Sequence, residues 1–306
     1  MNDRMNELFA QIDQLYYDGD VNATEAFLVS VEENIEKYST AEQIVIYNEL
    51  GAFYRAVSKY EKSLQAFEKA RVMIAEEIGS GMQYATLLNN MAGTYRLMQD
   101  YEKSEALFVE AKEIYKAEHL EDTYEYVSLL NNMALVYREM SEYQKAICCL
   151  YCALDRLEPM EDCQQELAIT YNNLMALHFA LGEYEQAKYC VNRALKEFEK
   201  CEDYENVHYA AGLNSMAALL YKEEFYDQAL EMYEKSMKYT LRFFGQNEEY
   251  AKTLMNMYWA YKALGREKEA IRSVEKSVKV YQNLYGNDDA KTIAAINTLN
   301  NIKQVI

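Results

Sequence analysis

Apolar residues recur along this chain at helical steps of three and four, and the whole pattern returns every 41 or 42 positions. Taking Gly51, Ala92, Ala134, Met175, Ala217 and Tyr258 as anchors, the successive steps are 41, 42, 41, 42 and 41. An apolar residue stands just before each anchor (Leu50, Met91, Met133, Leu174, Met216, Met257). A large one stands four before (Tyr47, Leu88, Leu130, Tyr171, Leu213, Leu254), and Tyr54, Tyr95, Tyr137, His178, Leu220 or Tyr261 stands three after. These spacings keep one face of a helix apolar. Nine after the anchor come Tyr60, Tyr101, Tyr143, Tyr184 and Tyr226, with Glu267 as the exception, and a turn precedes or includes them. A second apolar stripe follows, from Ser63, Ser104, Ala146, Ala187, Ala229 and Ala270 through Phe67, Phe108, Leu150, Val191, Tyr233 and Val274 to Ala70, Ala111, Ala153, Ala194, Ser236 and Ser277. Small residues recur where two helices approach closely, and large ones fill the space between repeats. Self-similarity at this period predicts a solenoid of helical hairpins.

The unit resembles the tetratricopeptide repeat. Its length departs from the 34 residues usual for that family. With the string Leu-Asn-Asn-Met-Ala at 88–92 and again at 130–134, it looks like the longer subtype found in kinesin light chains and many bacterial proteins. The proline that commonly closes the second helix is missing apart from Pro159, and longer helices absorb the extra residues. The resemblance covers roughly residues 40 to 304. It implies an all-α fold, an α-solenoid of stacked antiparallel helical hairpins forming a right-handed superhelix.

Residues 3 to 37 read as two amphipathic helices broken at Asp18-Gly19-Asp20, without the asparagine and tyrosine landmarks, as a capping hairpin should. Ala290-Lys291-Thr292 echoes Ala251-Lys252-Thr253, so 289 to 304 reads as an unpaired final helix. The expectation is a single domain over 1–306: an N-terminal cap over 1–40, six repeats over about 41–288, and a C-terminal cap over 289–306.

One proline and 10 glycines in 306 residues agree with a nearly all-helical chain. No stretch is long and apolar enough for a membrane span, and Met1-Asn2-Asp3-Arg4 opens no apolar signal region, which gives a cytoplasmic protein as the expectation. A formal net charge of −19 argues against nucleic acid and anionic membranes as partners, since both require clustered cations. It reads as a solvated, Glu-rich outer face.

Cys148, Cys149 and Cys152 share one predicted helix, and Cys190 lies on the equivalent helix of the next repeat. No CxxC pair recurs elsewhere and the three histidines are scattered, so the expectation is buried, reduced thiols with no metal and no cofactor. Cys163 and Cys201 fall near helix ends, and nothing in the sequence signals an oxidising compartment for a disulfide between them. No phosphate-cradling Gly-rich loop, HExxH or Gly-x-Ser-x-Gly elbow occurs. His178 stands in for a core tyrosine and reads as an interior histidine rather than a base. The expectation is no enzyme.

In the family resembled, the first helix of each hairpin lines a concave groove. The positions three before, one after and four after the anchor share a face rotated away from the core. Three before stand Asn48, Asn89, Asn131, Asn172 and Asn214, then Met255, with Asn90, Asn132, Asn173 and Asn256 directly following at four repeats. Asparagine is a mediocre helix former, so five in register need a further reason. Its amide can match a peptide unit whatever the side chain, and the resemblance implies that asparagines at this place contact bound peptide. The structural alternative is that one of each pair bonds across to the next helix and holds the repeats in register; that is the expectation for Asn90, Asn132 and Asn173, and groove exposure is the expectation for the other set.

Four after the anchor come Arg55, Arg96, Arg138, Phe179, Tyr221 and Lys262, and Trp259, the sole tryptophan, lies one after its own anchor. An arginine stripe with aromatic neighbours suits an acidic peptide carrying a large apolar side chain; internal pairing with Glu49 or Glu139 is the competing reading. The expected function is a non-catalytic protein–protein interaction scaffold that binds an extended, acidic and apolar peptide in its groove. The alternatives are a peptide-sensing regulatory domain of a bacterial signalling system, or a self-assembling element. Ile293, Ile296, Leu299, Ile302 and Ile306 would serve a homodimer contact in the last case.

Overall fold

The computed structural model describes residues 3–18, 20–77, 79, 81–201 and 206–305, and the regular elements among them are all helical. Gly19 in the first predicted break and Ile306 at the end of the last apolar stripe lie outside these residues. The packing divides into two compact units, Met1–Arg156 and Leu157–Ile306.

The first unit opens with α1 (Asp3–Asp18) and α2 (Val21–Glu32), followed by a 3-10 turn over Ile35–Lys37. Three hairpins follow: α3 (Thr40–Ala56) with α4 (Tyr60–Glu77), α5 (Met82–Leu97) with α6 (Tyr101–Ala117), and α7 (Tyr124–Glu139) with α8 (Tyr143–Leu157). The second unit holds α9 (Gln164–Ala180) with α10 (Tyr184–Phe198), α11 (Val207–Lys222) with α12 (Tyr226–Phe244), and α13 (Glu248–Ala263) with α14 (Glu267–Tyr285). An unpaired α15 (Ala290–Val305) ends it.

Each hairpin turns in the same way. The residue seven after the anchor lies in the left-handed region in all six: Ser58 (φ 60°), Gln99 (63°), Ser141 (62°), Gly182 (77°), Glu224 (65°) and Gly265 (69°). The next residue's N–H then returns to the carbonyl three after the anchor, as in Lys59 to Tyr54 at 2.8 Å and Arg266 to Tyr261 at 2.9 Å. This geometry satisfies the last carbonyls of the first helix and aims the chain straight into the second. The tyrosines nine after the anchor are the first residues of α4, α6, α8, α10 and α12. First helices start on side-chain caps where the sequence offers them: Thr123, Asn206 and Asn247 accept the N–H of Tyr126, Tyr209 and Tyr250.

Within a hairpin the two helices are matched in volume. The anchor and the residue sixteen after it are both buried in all six repeats, and their sizes trade: Gly51 with Phe67, Ala92 with Phe108, Ala134 with Leu150, Met175 with Val191, Ala217 with Tyr233, and Tyr258 with Val274. Buried serine hydroxyls add a bond across the same seam. In the first unit Ser63 and Ser104 donate to the carbonyls of Gly51 and Ala92 at 2.7 and 2.8 Å. In the second, Ser236 and Ser277 donate to Ala210 and Ala251 at 2.8 and 2.9 Å, at the other end of the hairpin.

The last helix is held at its start by a charged knot. Glu248 of α13 accepts from Lys291 Nζ at 2.8 Å and Tyr285 Oη at 2.5 Å, and lies 3.0 Å from Lys252 Nζ. Burial alone would raise the Glu248 carboxyl, but the bonds from Lys291, Tyr285 and Lys252 outweigh it and bring it down from 4.5 to about 2. A carboxyl depressed on folding stabilises the fold fully above its unfolded value and loses that contribution as pH falls toward its folded one. We therefore expect α15 to lose amide-exchange protection between about pH 4.5 and 2, ahead of α13, in exchange rates corrected for the intrinsic pH effect; uniform loss across both helices would contradict it.

Candidate functional site

The predicted groove positions of the first unit lie on α3, α5 and α7. The two asparagine rows meet each other: Asn90 Nδ2 donates to Asn48 Oδ1 at 2.9 Å, and Asn132 Nδ2 donates to Asn89 Oδ1 at 3.1 Å. Asn89 is only 8% exposed, while Asn48 and Asn131 are half-buried, and Asn131 also donates to the Val127 carbonyl at 3.2 Å. The amides thus form rungs between successive repeats, with the acceptor lone pairs of Asn48 and Asn89 engaged in them.

The three arginines differ in their surroundings. Arg96 Nη1 is 2.6 Å from Glu139 Oε1, an ion pair between the second and third repeats. Arg55 donates from Nη1 to the main-chain carbonyl of Asn90 at 3.1 Å, and no carboxylate pairs with it among the described residues. Burial, with the like charge of Arg96 beside it, pushes the Arg55 guanidinium below its ordinary value. Gly93 makes room for it, since a Cβ there would lie 3.2 Å from Arg55 Nη1. Arg138 is half-buried and has no ion pair among the described residues. Glu49, the acid standing where later repeats carry asparagine, is pushed up by burial and by Asp13 against the pull of its Asn48 bond.

In the second unit the asparagine rungs give out. Asn214 Oδ1 accepts from Thr253 Oγ1 at 3.2 Å. Asn172 Nδ2 reaches the His208 carbonyl at 3.4 Å, but its Oδ1 is buried without a partner. The donor that serves this place in the first unit is an asparagine two before the next anchor, and here Ser215 occupies it. A shorter hydroxyl leaves the acceptor orphaned, which is costly in a low-dielectric interior. We expect Ser215→Asn to stabilise the second unit by about 1 kcal/mol, read as a higher urea midpoint; a lower midpoint would refute the rung.

The aromatic positions of this unit are each met by a neighbour. Phe179 packs edge-on against Tyr184 at 5.6 Å, and Tyr221 tilts against Tyr226 at 5.4 Å. Trp259 and Lys262 come together, with Nζ 5.4 Å from the indole centroid. They line a cavity of 390 Å³ with Tyr258, Glu267 and Ala270, closed by Thr298, Asn301 and Ile302 of α15. That α15 lines a cavity with Trp259 was not read from the sequence.

His178 is 5% exposed, and its Nδ1 is 2.6 Å from Glu183 Oε2, with Nε2 unpartnered. All six cysteines are free. Cys149, Cys163 and Cys190 are buried, and burial pushes the Cys149 and Cys190 thiols up to about 11. Cys148 and Cys152 correct the expectation of buried thiols: four residues apart on α8, they share a face that is exposed. Among the described residues, no group of three or more His, Cys, Asp or Glu is arranged to hold a metal ion, and no helix is long and apolar enough to cross a membrane.

Solved structures with a similar fold include BtubC from P. vanneervenii, at 19% identity and a TM-score of 0.59, covering 81% of this chain and 93% of that one. The quorum sensor NprR from B. thuringiensis, in its apo form, is 18% identical with a TM-score of 0.59, covering 96% and 86%. A Rap protein complexed with Competence and Sporulation Factor is 18% identical with a TM-score of 0.65, covering 92% and 80%. At these identities the likeness is one of fold. No curated protein sequence matches the chain. The tetratricopeptide repeat profile matches residues 42–117, 83–158 and 208–283, which span more than half of the sequence and coincide with the hairpins described above. The chain belongs to the tetratricopeptide repeat family.

Proposed function

We propose that the protein is a non-catalytic interaction scaffold, and that the face of α3, α5 and α7 captures an extended peptide segment bearing acidic residues. The observation that carries this reading is Arg55. It is half-buried, its Nη1 donates to a main-chain carbonyl, and the charge that acts on it is a second cation, Arg96. A partly desolvated cation without a counter-ion gains most from an arriving carboxylate, which its planar fork can grip at two points. Arg138, two repeats further along the same face, offers a second such point, and the half-buried Asn131 amide lies on its helix. The Arg96–Glu139 pair marks the stretch between them as already neutral.

Similar folds support peptide capture as the class of partner: one solved neighbour is NprR in complex with its cognate peptide NprX. A peptide-sensing regulator is the second reading, favoured by that same likeness of fold, and it differs in what binding does next rather than in what binds. A displayed library of random peptides tests both at the shared step. Peptides enriched in Asp and Glu and released by Arg55→Met with Arg138→Met support the proposal; enrichment of neutral or basic peptides, or unchanged capture by that variant, would sink it.

A further inference from the structure

The cavity beside Trp259 carries an arrangement that the arginine face lacks. Lys262 and Glu267 both line it, and among the described residues neither forms an ion pair, with the other or with any third group. Opposite charges that line one cavity without pairing to each other can each meet the complementary group of a molecule bearing both. The walls between them are apolar and aromatic. Trp259 is 47% exposed although it is the sole tryptophan, Tyr258 tilts against it at 4.7 Å, and Ile302 closes the side formed by α15. Thr298 adds a hydroxyl at the same wall. At 390 Å³ the space lies within the range of small-molecule sites, about 300–1,000 Å³.

We infer that this cavity binds a small zwitterion with a large apolar side chain, that is, a free aromatic or branched α-amino acid. The carboxylate faces the Lys262 ammonium, the ammonium faces the Glu267 carboxylate, and the side chain lies on the Trp259 ring. A plain hydrophobic acid would leave Glu267 facing an anion, and a hydrophobic amine would leave Lys262 facing a cation, so each should bind more weakly than the molecule that carries both groups. The site lies wholly within the second unit and does not depend on the arginine face.

The ligand reports its own binding, because the chain's only indole forms the wall. Fluorescence of the whole chain, excited selectively at tryptophan, is titrated with L-phenylalanine, 3-phenylpropanoate and phenethylamine. We expect a saturable change with phenylalanine, with the acid and the amine each at least about tenfold weaker. Lys262→Met and Glu267→Gln should each weaken phenylalanine by a similar factor while Trp259 stays in place and the far-ultraviolet circular dichroism stays unchanged. No saturable change with phenylalanine up to about 10 mM, equal binding of the acid or the amine, or undiminished binding by both variants would overturn the inference. The Arg55 and Arg138 substitutions should leave this titration as it is, so failure here and failure of peptide capture are separate results.

Discussion

Gly51→Ala should destabilise the first unit by about 2 kcal/mol, although alanine is the better helix former. A Cβ at this position would stand 2.4 Å from Phe67 Cε1, 2.5 Å from Cδ1 and 2.7 Å from Cζ. Phe67 is fully buried and cannot swing into solvent. Overpacking of this kind costs about 1–3 kcal/mol and occasionally more, against a gain of about 1 kcal/mol from replacing a helical glycine. The contact, being far inside van der Waals range, puts the cost at the upper end. Chemical denaturation followed at the first unit would show it, and Gly51→Ala with Phe67→Leu should recover most of the loss. A double variant no more stable than Gly51→Ala alone would mean that the methyl strains something other than the ring.

The largest effect on binding should come from Arg55→Met with Arg138→Met. Hydrogen bonds to a charged group are worth about 1.5–3 kcal/mol each, so the pair should cost an acidic peptide a factor of 10² or more in affinity, measurable by fluorescence anisotropy with a selected peptide. The wild-type affinity should fall steeply with added salt and that of the variant much less, because the interaction removed is the screened one. Glu139→Gln works in the opposite direction. It frees the Arg96 fork and removes a like charge from the path, so the same peptide should bind several-fold tighter. A Glu139→Gln protein that bound more weakly would show Arg96 acting only as a strut between repeats.

Much of the architecture was legible because it rests on periodicity. The two stripes, the opening helices α1 and α2 and the unpaired α15 follow from where apolar residues stand, and the helices end within a few residues of the expected turns. The turn conformation itself was hidden: glycine marks it at Gly182 and Gly265, but Ser58, Gln99, Ser141 and Glu224 adopt the same left-handed geometry with no such signal. The candidate site was legible as a face and not as a set of bonds. Whether Asn89 points outward or toward Asn132, 43 positions later, depends on a small rotation of α5 against α7, and spacing says nothing about that. The same limit applies to Arg96, whose competing partners were visible in sequence while the choice of Glu139 was not.

The traded volumes across each hairpin also bear on how such a chain can gain and lose repeats. A duplication or deletion whose breakpoints fall in the loops between hairpins carries both members of every size-matched couple and leaves each seam filled. One whose breakpoints fall at the tight turns would join Met175 to a tyrosine meant for Ala217, or Gly51 to a valine, and produce a clash or a void at once. By this packing the hairpin, and not the single helix, is the smallest piece that can be gained or lost with every seam still filled.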